Sequence, residues 1–185
     1  MRADGDFWAF SLHLYGQKGV SDACLGLQDR LAADVNLVLF AVWLGASGHR
    51  LEADEAQMAV DAVILWQRDV VETLRGVRRR LETGPAPAPS PQTEALREAV
   101  KASELAAEKV EQDTLQRLRD AWGLQGSPAD PVTAAAANIA SVLRITASAP
   151  PGDAESDLIC SIVNAAIPTA PAATVAAAVL RQLRS

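Results

Sequence analysis

Apolar side chains recur along most of the chain at steps of three and four, the period of a helix with one covered face. In FWAFSLHLYG, residues 7–16, Phe7, Phe10, Leu12 and Leu14 run beside Trp8 and Tyr15 and stop at Gly16. The spacing predicts a short helix, although the alternation of Leu12, Leu14 and Gly16 also fits a strand. SDACLGLQDRLAA opens with Ser21, a good N-cap, and sets Cys24, Leu27 and Leu31 on one side. Asp34 then caps a third element, VNLVLFAVWLG, which Gly45 or Gly48 closes. Apart from Asn36 this element is apolar on every side, so neighbours must cover it all round and it belongs at the centre of the fold.

Residues 52–81 carry a long amphipathic pattern through Ala56, Val60, Val63, Trp66 or Gln67, Val70, Leu74, Val77 and Leu81. Its other side bears Arg68, Glu72, Arg75 and Arg79. GPAPAPSPQ, residues 84–92, cannot be helix, because alternating prolines remove donors and fix φ. It reads as a semi-rigid extended connector. A second long helix follows over residues 93–123, capped by Thr93 and ended at Gly123. Its apolar stripe is Leu96, Val100, Ser103, Ala107, Val110, Thr114, Leu118 and Ala121. Alanine-rich helices are expected at 131–147, 154–166 and 171–184, separated by proline breaks. The chain is therefore predicted to be all-α, an irregular bundle of roughly seven or eight helices around the short central apolar one. Four parts follow: an N-terminal helical core (1–83), the connector (84–92), the long helix packing on that core (93–123) and an alanine-rich tail (124–185).

Composition narrows the function classes. The hydrophobic share is 49%, enough for a core, but much of it is alanine, and the aromatic share is only 4%. A net charge of −6 opposes general attraction to nucleic acid or to an anionic membrane, so neither is expected as a partner. The arginines of RGVRRR lack interleaved aromatics and suit a helix C-terminus, where cations complement the dipole. Cys24 and Cys160 form no CxxC or Cys/His ladder and read as reduced, buried thiols. No export signal opens the chain, and the apolar run at 35–44 is about half of the ~20 residues a membrane-spanning helix requires. A cytoplasmic, bacterial-type protein is expected.

Several stretches, FWAFSLHLYG at 7–16, VSDACLGLQDRLAADVNLVLFAVWLG at 20–45 and AVILWQRDVVETLRGVRRRL at 62–81, resemble a family of uncharacterised proteobacterial proteins, a domain of unknown function. SELAAEKVEQDTL at 103–115 extends the likeness. The resemblance implies a helical fold and supplies no activity, ligand or catalytic residue. The tail after Trp122 has no counterpart in that pattern.

Candidate chemistry is sparse. Asp34 at a helix start accepts amide hydrogens, a contact worth ~0.5–2 kcal/mol. Together with Gln28, Asp29 and Asn36 it could instead rim a polar pocket. Glu104, Glu108 and Glu111 share one helical side, but no Glu-x-x-His element accompanies them, so neither a metal nor a cofactor is expected. Pairing of these acids with Arg68, Arg75 or Arg79 would dock the two long helices as a hairpin. Asp29 and Asp34 stand five apart, the wrong step for a magnesium–diphosphate cluster. No nucleophile elbow, Cys/His pair or phosphate loop occurs, and His13 and Tyr15 read as core or rim.

Two functions are compatible with these residues. The first is a non-catalytic interaction module, self-associating as a homodimer or binding a protein through Arg68, Glu72, Arg75, Arg79, Glu104, Glu108 and Glu111. The second is a pocket for a small apolar or aromatic ligand lined by Trp8, Tyr15, Asp29, Asp34, Asn36, Trp43 and Trp66.

Overall fold

A computed structural model describes residues 5–122 and 129–184, and among these every regular element is a helix. The fold is all-α. Gly123, the expected end of the second long helix, lies outside the described residues.

Helix α1 (Phe7–Tyr15) begins where the Asp6 carboxylate accepts the Trp8 and Ala9 amides. Helix α2 (Val20–Leu31) starts one residue before the expected Ser21 cap. Gly19, at φ 84°, makes the left-handed turn out of α1 and leaves Val20 completely buried, so Ser21 falls inside the first turn. Helix α3 (Val35–Ala46) is capped by Asp34, whose Oδ1 accepts Asn36 N–H at 2.9 Å and Leu37 N–H at 3.3 Å. Residues 36–45 of α3 are all buried, as a helix apolar on every side requires. Phe7 stacks on Trp43 with ring centroids 5.0 Å apart, and Phe40 meets both rings.

Helices α4 (Ala53–Trp66) and α5 (Glu72–Thr83) form one rod interrupted by a π-helical turn at Gln67–Val71. A π turn takes one residue more per hydrogen-bonded loop, which rotates everything after it relative to the α4 face. The inward positions accordingly run Ala56, Val60, Val63, Gln67, Val71 and then Arg75 and Arg78, whereas Val77 is exposed. The connector is a tight reversal rather than an extended spacer. Gly84 sits at φ 108°, Ala88 N–H donates to Pro85 O, and α6 (Pro91–Trp122) returns along α5. Ser90, not Thr93, precedes the helix. The two cap each other, Ser90 N–H donating to Thr93 Oγ1 at 2.8 Å and Thr93 N–H to Ser90 Oγ at 3.2 Å, with proline at the first helical position.

The expected apolar stripe of α6 is out of phase with the buried one. Its covered residues are Glu104, Ala107, Glu111, Gln112 and Leu115, while Leu96 and Val110 face outward. The polar members of this face are inside because they have partners there, in α5 and at the start of α3.

Helix α7 (Pro131–Thr146) lies along α3, and α8 (Ser156–Ala166) and α9 (Ala172–Leu183) complete the shell against α2 and α7. Alanines 134–137 are buried, and their small side chains allow a close crossing. Asn138, with no exposed surface, fastens the α3–α4 loop: Leu51 N–H donates to its Oδ1 at 2.7 Å, and its Nδ2 donates to His49 O and Ala41 O. Ser148 N–H reaches Leu31 O and Arg30 reaches Ala154 O, so the alanine-rich segment rests on the N-terminal helices of its own chain.

Candidate functional site

A cavity of about 540 Å³ opens between α1, α2, the start of α3, the π turn, α5 and α6. That volume lies within the ~300–1,000 Å³ range of small-molecule sites. Its apolar wall comes from Trp8, Leu12 and Tyr15 of α1, Leu25 of α2, Val35 and Leu39 of α3, and Leu105 of α6. Leu12, Leu25 and Leu105 are exposed and form the rim. The polar side is laid down by Asp34 and Asn36 at the α3 N-terminus, Gln67 in the π turn, and Glu104, Glu108 and Gln112 of α6.

The floor is a buried network. Gln112 Nε2 donates to Asn36 Oδ1 at 2.7 Å. Behind them the Glu111 carboxyl, 1% exposed, meets that of Asp34. Burial first, and then the negative charge of Asp34, push Glu111 up to about 10. Burial likewise raises Asp34, against the lowering pull of Glu111 and of the two capped amides. Two such carboxyls in contact cannot both ionise, so they hold a proton between them at neutral pH. Among the described residues Ser11 Oγ, Gln67 Oε1 and Gln112 Oε1 have no hydrogen-bond partner, and beyond the two capped amides the Asp34 carboxyl has only that of Glu111. Buried acceptors are rarely left without donors, and a cluster of them needs a cause.

Beside the floor stands a charged lattice. Arg75 donates through Nε to Glu104 at 2.9 Å and through Nη2 to Glu108 at 2.8 Å, and Arg78 also binds Glu104. Burial alone would raise the Glu104 carboxyl, but hydrogen bonds from Arg78 and Arg75 outweigh it and hold the group below its ordinary value. Glu108, more enclosed than compensated, is raised.

Residues 6–115 match the model of a family described as a protein of unknown function, DUF2390. The chain belongs to this family. No curated protein matches it, and no solved structure does. Every residue lining the cavity falls inside the DUF2390 span, whereas α7, α8 and α9 lie beyond it.

In this DUF2390 chain four of the residues expected in a pocket do meet in one: Trp8, Tyr15, Asp34 and Asn36. The other three do not line it. Asp29 is exposed on α2. Trp43 is buried in the aromatic stack, with the Arg119 guanidinium 5.1 Å from its ring centre. Trp66 donates its indole N–H to Ala107 O at 3.0 Å and bolts α4 to α6. Of the residues expected on a docking face, Arg75, Glu104 and Glu108 pair with one another, Glu111 is interior, Arg68 pairs with its neighbour Asp69, and Glu72 and Arg79 are exposed.

Sequence reasoning missed Ser11, Gln67, Gln112 and Arg78. Gln67 was visible as the alternative to Trp66 in the inward stripe. Gln112 shares the buried side of α6 with Glu104, Ala107 and Glu111, and nothing in its spacing marks it apart from the acids read as pairing with the other long helix. Among the described residues no group of three or more His, Cys, Asp or Glu side chains is placed to hold a metal ion.

Proposed function

We propose that this protein binds a small molecule in the cavity between α1, α3, α5 and α6, and that the ligand has a compact apolar body with one polar end. The observation that carries this is the form of the cavity: a leucine- and aromatic-lined wall converging on buried side chains that each keep an oxygen without a hydrogen-bond partner, Ser11, Gln67 and Gln112 among them. The π turn that brings Gln67 to the floor supports it, since such turns often occur at functional positions. A reading in which α5 and α6 present their charges to a protein has less support, because most of those charges are spent on each other. The free thiols Cys24 and Cys160 fit a reducing compartment, and we take that compartment to be the cytoplasm. Among the described residues no helix is long and apolar enough to cross a membrane.

The test is a screen of amphipathic fragments by thermal shift and ligand-observed NMR, repeated on Leu25→Trp and Leu105→Trp. Both substitutions add bulk at the exposed rim without entering the core. Fragments that stabilise the wild type and lose binding in both variants support the pocket. An absence of hits, or hits indifferent to both variants, removes it.

A second reading is favoured by Leu96 and Val110, which α6 turns to solvent although large and apolar. They support self-association as a dimer, and a single monomeric mass by light scattering across micromolar concentrations would end that reading.

A further inference from the structure

The atoms at the cavity floor open to a further hydrogen bond are of one kind. Asp34 Oδ2, Gln67 Oε1 and Gln112 Oε1 are acceptors, and Ser11 Oγ is able to accept. None of these four side chains is more than 6% exposed, and all four line the cavity. A ligand group that only accepts, such as a carboxylate or phosphate, would leave every one of them unsatisfied and add repulsion from Asp34.

Charge points the same way. Arg75 and Arg78 are matched by Glu104 and Glu108 in contacts of hydrogen-bond length, so that lattice needs no further ion. The Asp34–Glu111 pair has no cation in hydrogen-bond contact, Arg75 acting on Asp34 only at a distance. Buried carboxyls without a bonded cation favour a cationic guest. Arg79 and Lys101 also line the cavity, but both are exposed at its mouth, where water screens them.

We infer that the polar end of the ligand is a protonated amine, which donates to Asp34 Oδ2 and to the amide oxygens of Gln67 and Gln112 while its apolar body lies against Leu39, Trp8 and Tyr15. This deepens the pocket reading and rests on it. An ammonium group has three donors and a full positive charge, so it satisfies the free acceptors and neutralises the acid pair together.

The experiment compares three probes of one chain length, n-hexylammonium, n-hexanol and hexanoate, by calorimetric titration of the full chain at neutral pH. Hexylammonium is expected to bind about ten- to a hundred-fold more tightly than hexanol, the margin of a charge-assisted hydrogen bond, and hexanoate most weakly. Asp34→Asn keeps a good helix cap and should abolish the ammonium preference. Gln67→Leu, which leaves both cap and acid pair in place, should weaken hexylammonium several-fold and leave hexanol unchanged. Equal binding of ammonium and alcohol, tightest binding of hexanoate, or an ammonium preference that survives both variants overturns the inference while the pocket reading stands. Failure of all three probes to bind at millimolar concentration overturns both.

Discussion

Gly45 and Ala135 touch backbone to backbone: a Cβ placed on Gly45 would lie 2.2 Å from Ala135 Cα. No rotamer change relieves such an overlap, so α3 and α7 hold this spacing only while residue 45 is glycine. Gly45→Ala is expected to cost about 3 kcal/mol, the upper part of the usual range for overpacking. Gly76 on α5 is the control, since a Cβ there meets nothing within 4 Å. Gly76→Ala should gain roughly 0.5–1 kcal/mol from helix propensity alone. Urea denaturation of both variants checks the pair, and equal effects would mean that the crossing yields more easily than its geometry implies.

Asn138 supplies the donors and the acceptor that the α3–α4 loop lacks. Asn138→Leu leaves the buried Leu51 N–H without a partner, a loss of about 1–3 kcal/mol for that group alone. The melting temperature should fall, and hydrogen exchange at Leu51 should accelerate by more than at amides inside α4. Unchanged protection at Leu51 would show that another acceptor takes over.

Glu111 makes the molecule sensitive to alkali. Its ordinary value of 4.5 is raised to about 10 on folding, so between these pH values the folded chain holds a proton that the unfolded chain releases. The associated stability is complete below pH 4.5 and is lost as pH climbs toward 10, and Asp34, also raised, acts in the same direction. Glu108 on α6 and Arg75 on α5 bear on the same pair, repelling and attracting it respectively. Glu111→Gln should therefore flatten the decline of melting temperature between pH 6 and pH 9 and leave the variant more stable than wild type at the upper end. A wild-type melting temperature that stays level across this range would contradict the pairing.

The contact of α5 with α6 separates charges that matter from charges that do not. Glu104, with its side chain 8% exposed, receives hydrogen bonds from Arg75 and Arg78. Glu104→Ala strands Arg78 and leaves Arg75 only Glu108, and should cost about 2–3 kcal/mol. Arg79, exposed and four residues before the helix end, should change stability by no more than about 0.5 kcal/mol on conversion to alanine. Chemical denaturation of the two variants decides between this arrangement and one held by apolar contacts alone.

The sequence made some of this legible and concealed the rest, for identifiable reasons. The central place of α3 followed from ten apolar or small residues interrupted by one asparagine, because no other location tolerates such a surface. The Asp34 cap was equally readable, since a carboxylate before an apolar helix has an obvious local use. The inward face of α6 was legible in part. The pairing of Arg75 with Glu104 and Glu108, which docks the two long helices, follows from charge spacing, whereas the apolar stripe misplaced Glu111 and Gln112, whose partners come from distant segments. The π turn leaves no mark in composition, yet it sets where Arg75 enters that contact. Aromatic character also failed to separate roles: Trp8 borders the cavity, Trp43 belongs to the core and Trp66 is a bolt between helices.

Family resemblance stops at residue 115, but the shelter of α3 does not. One flank of that helix is roofed by α7, so the stretch shared with relatives borrows its cover from a stretch that the family pattern omits. A fragment trimmed to the matched span would bare a greasy cylinder and is expected to clump, whatever its binding residues retain. The roof is thus as much a part of this architecture as the matched span, and any shortened version has to keep both.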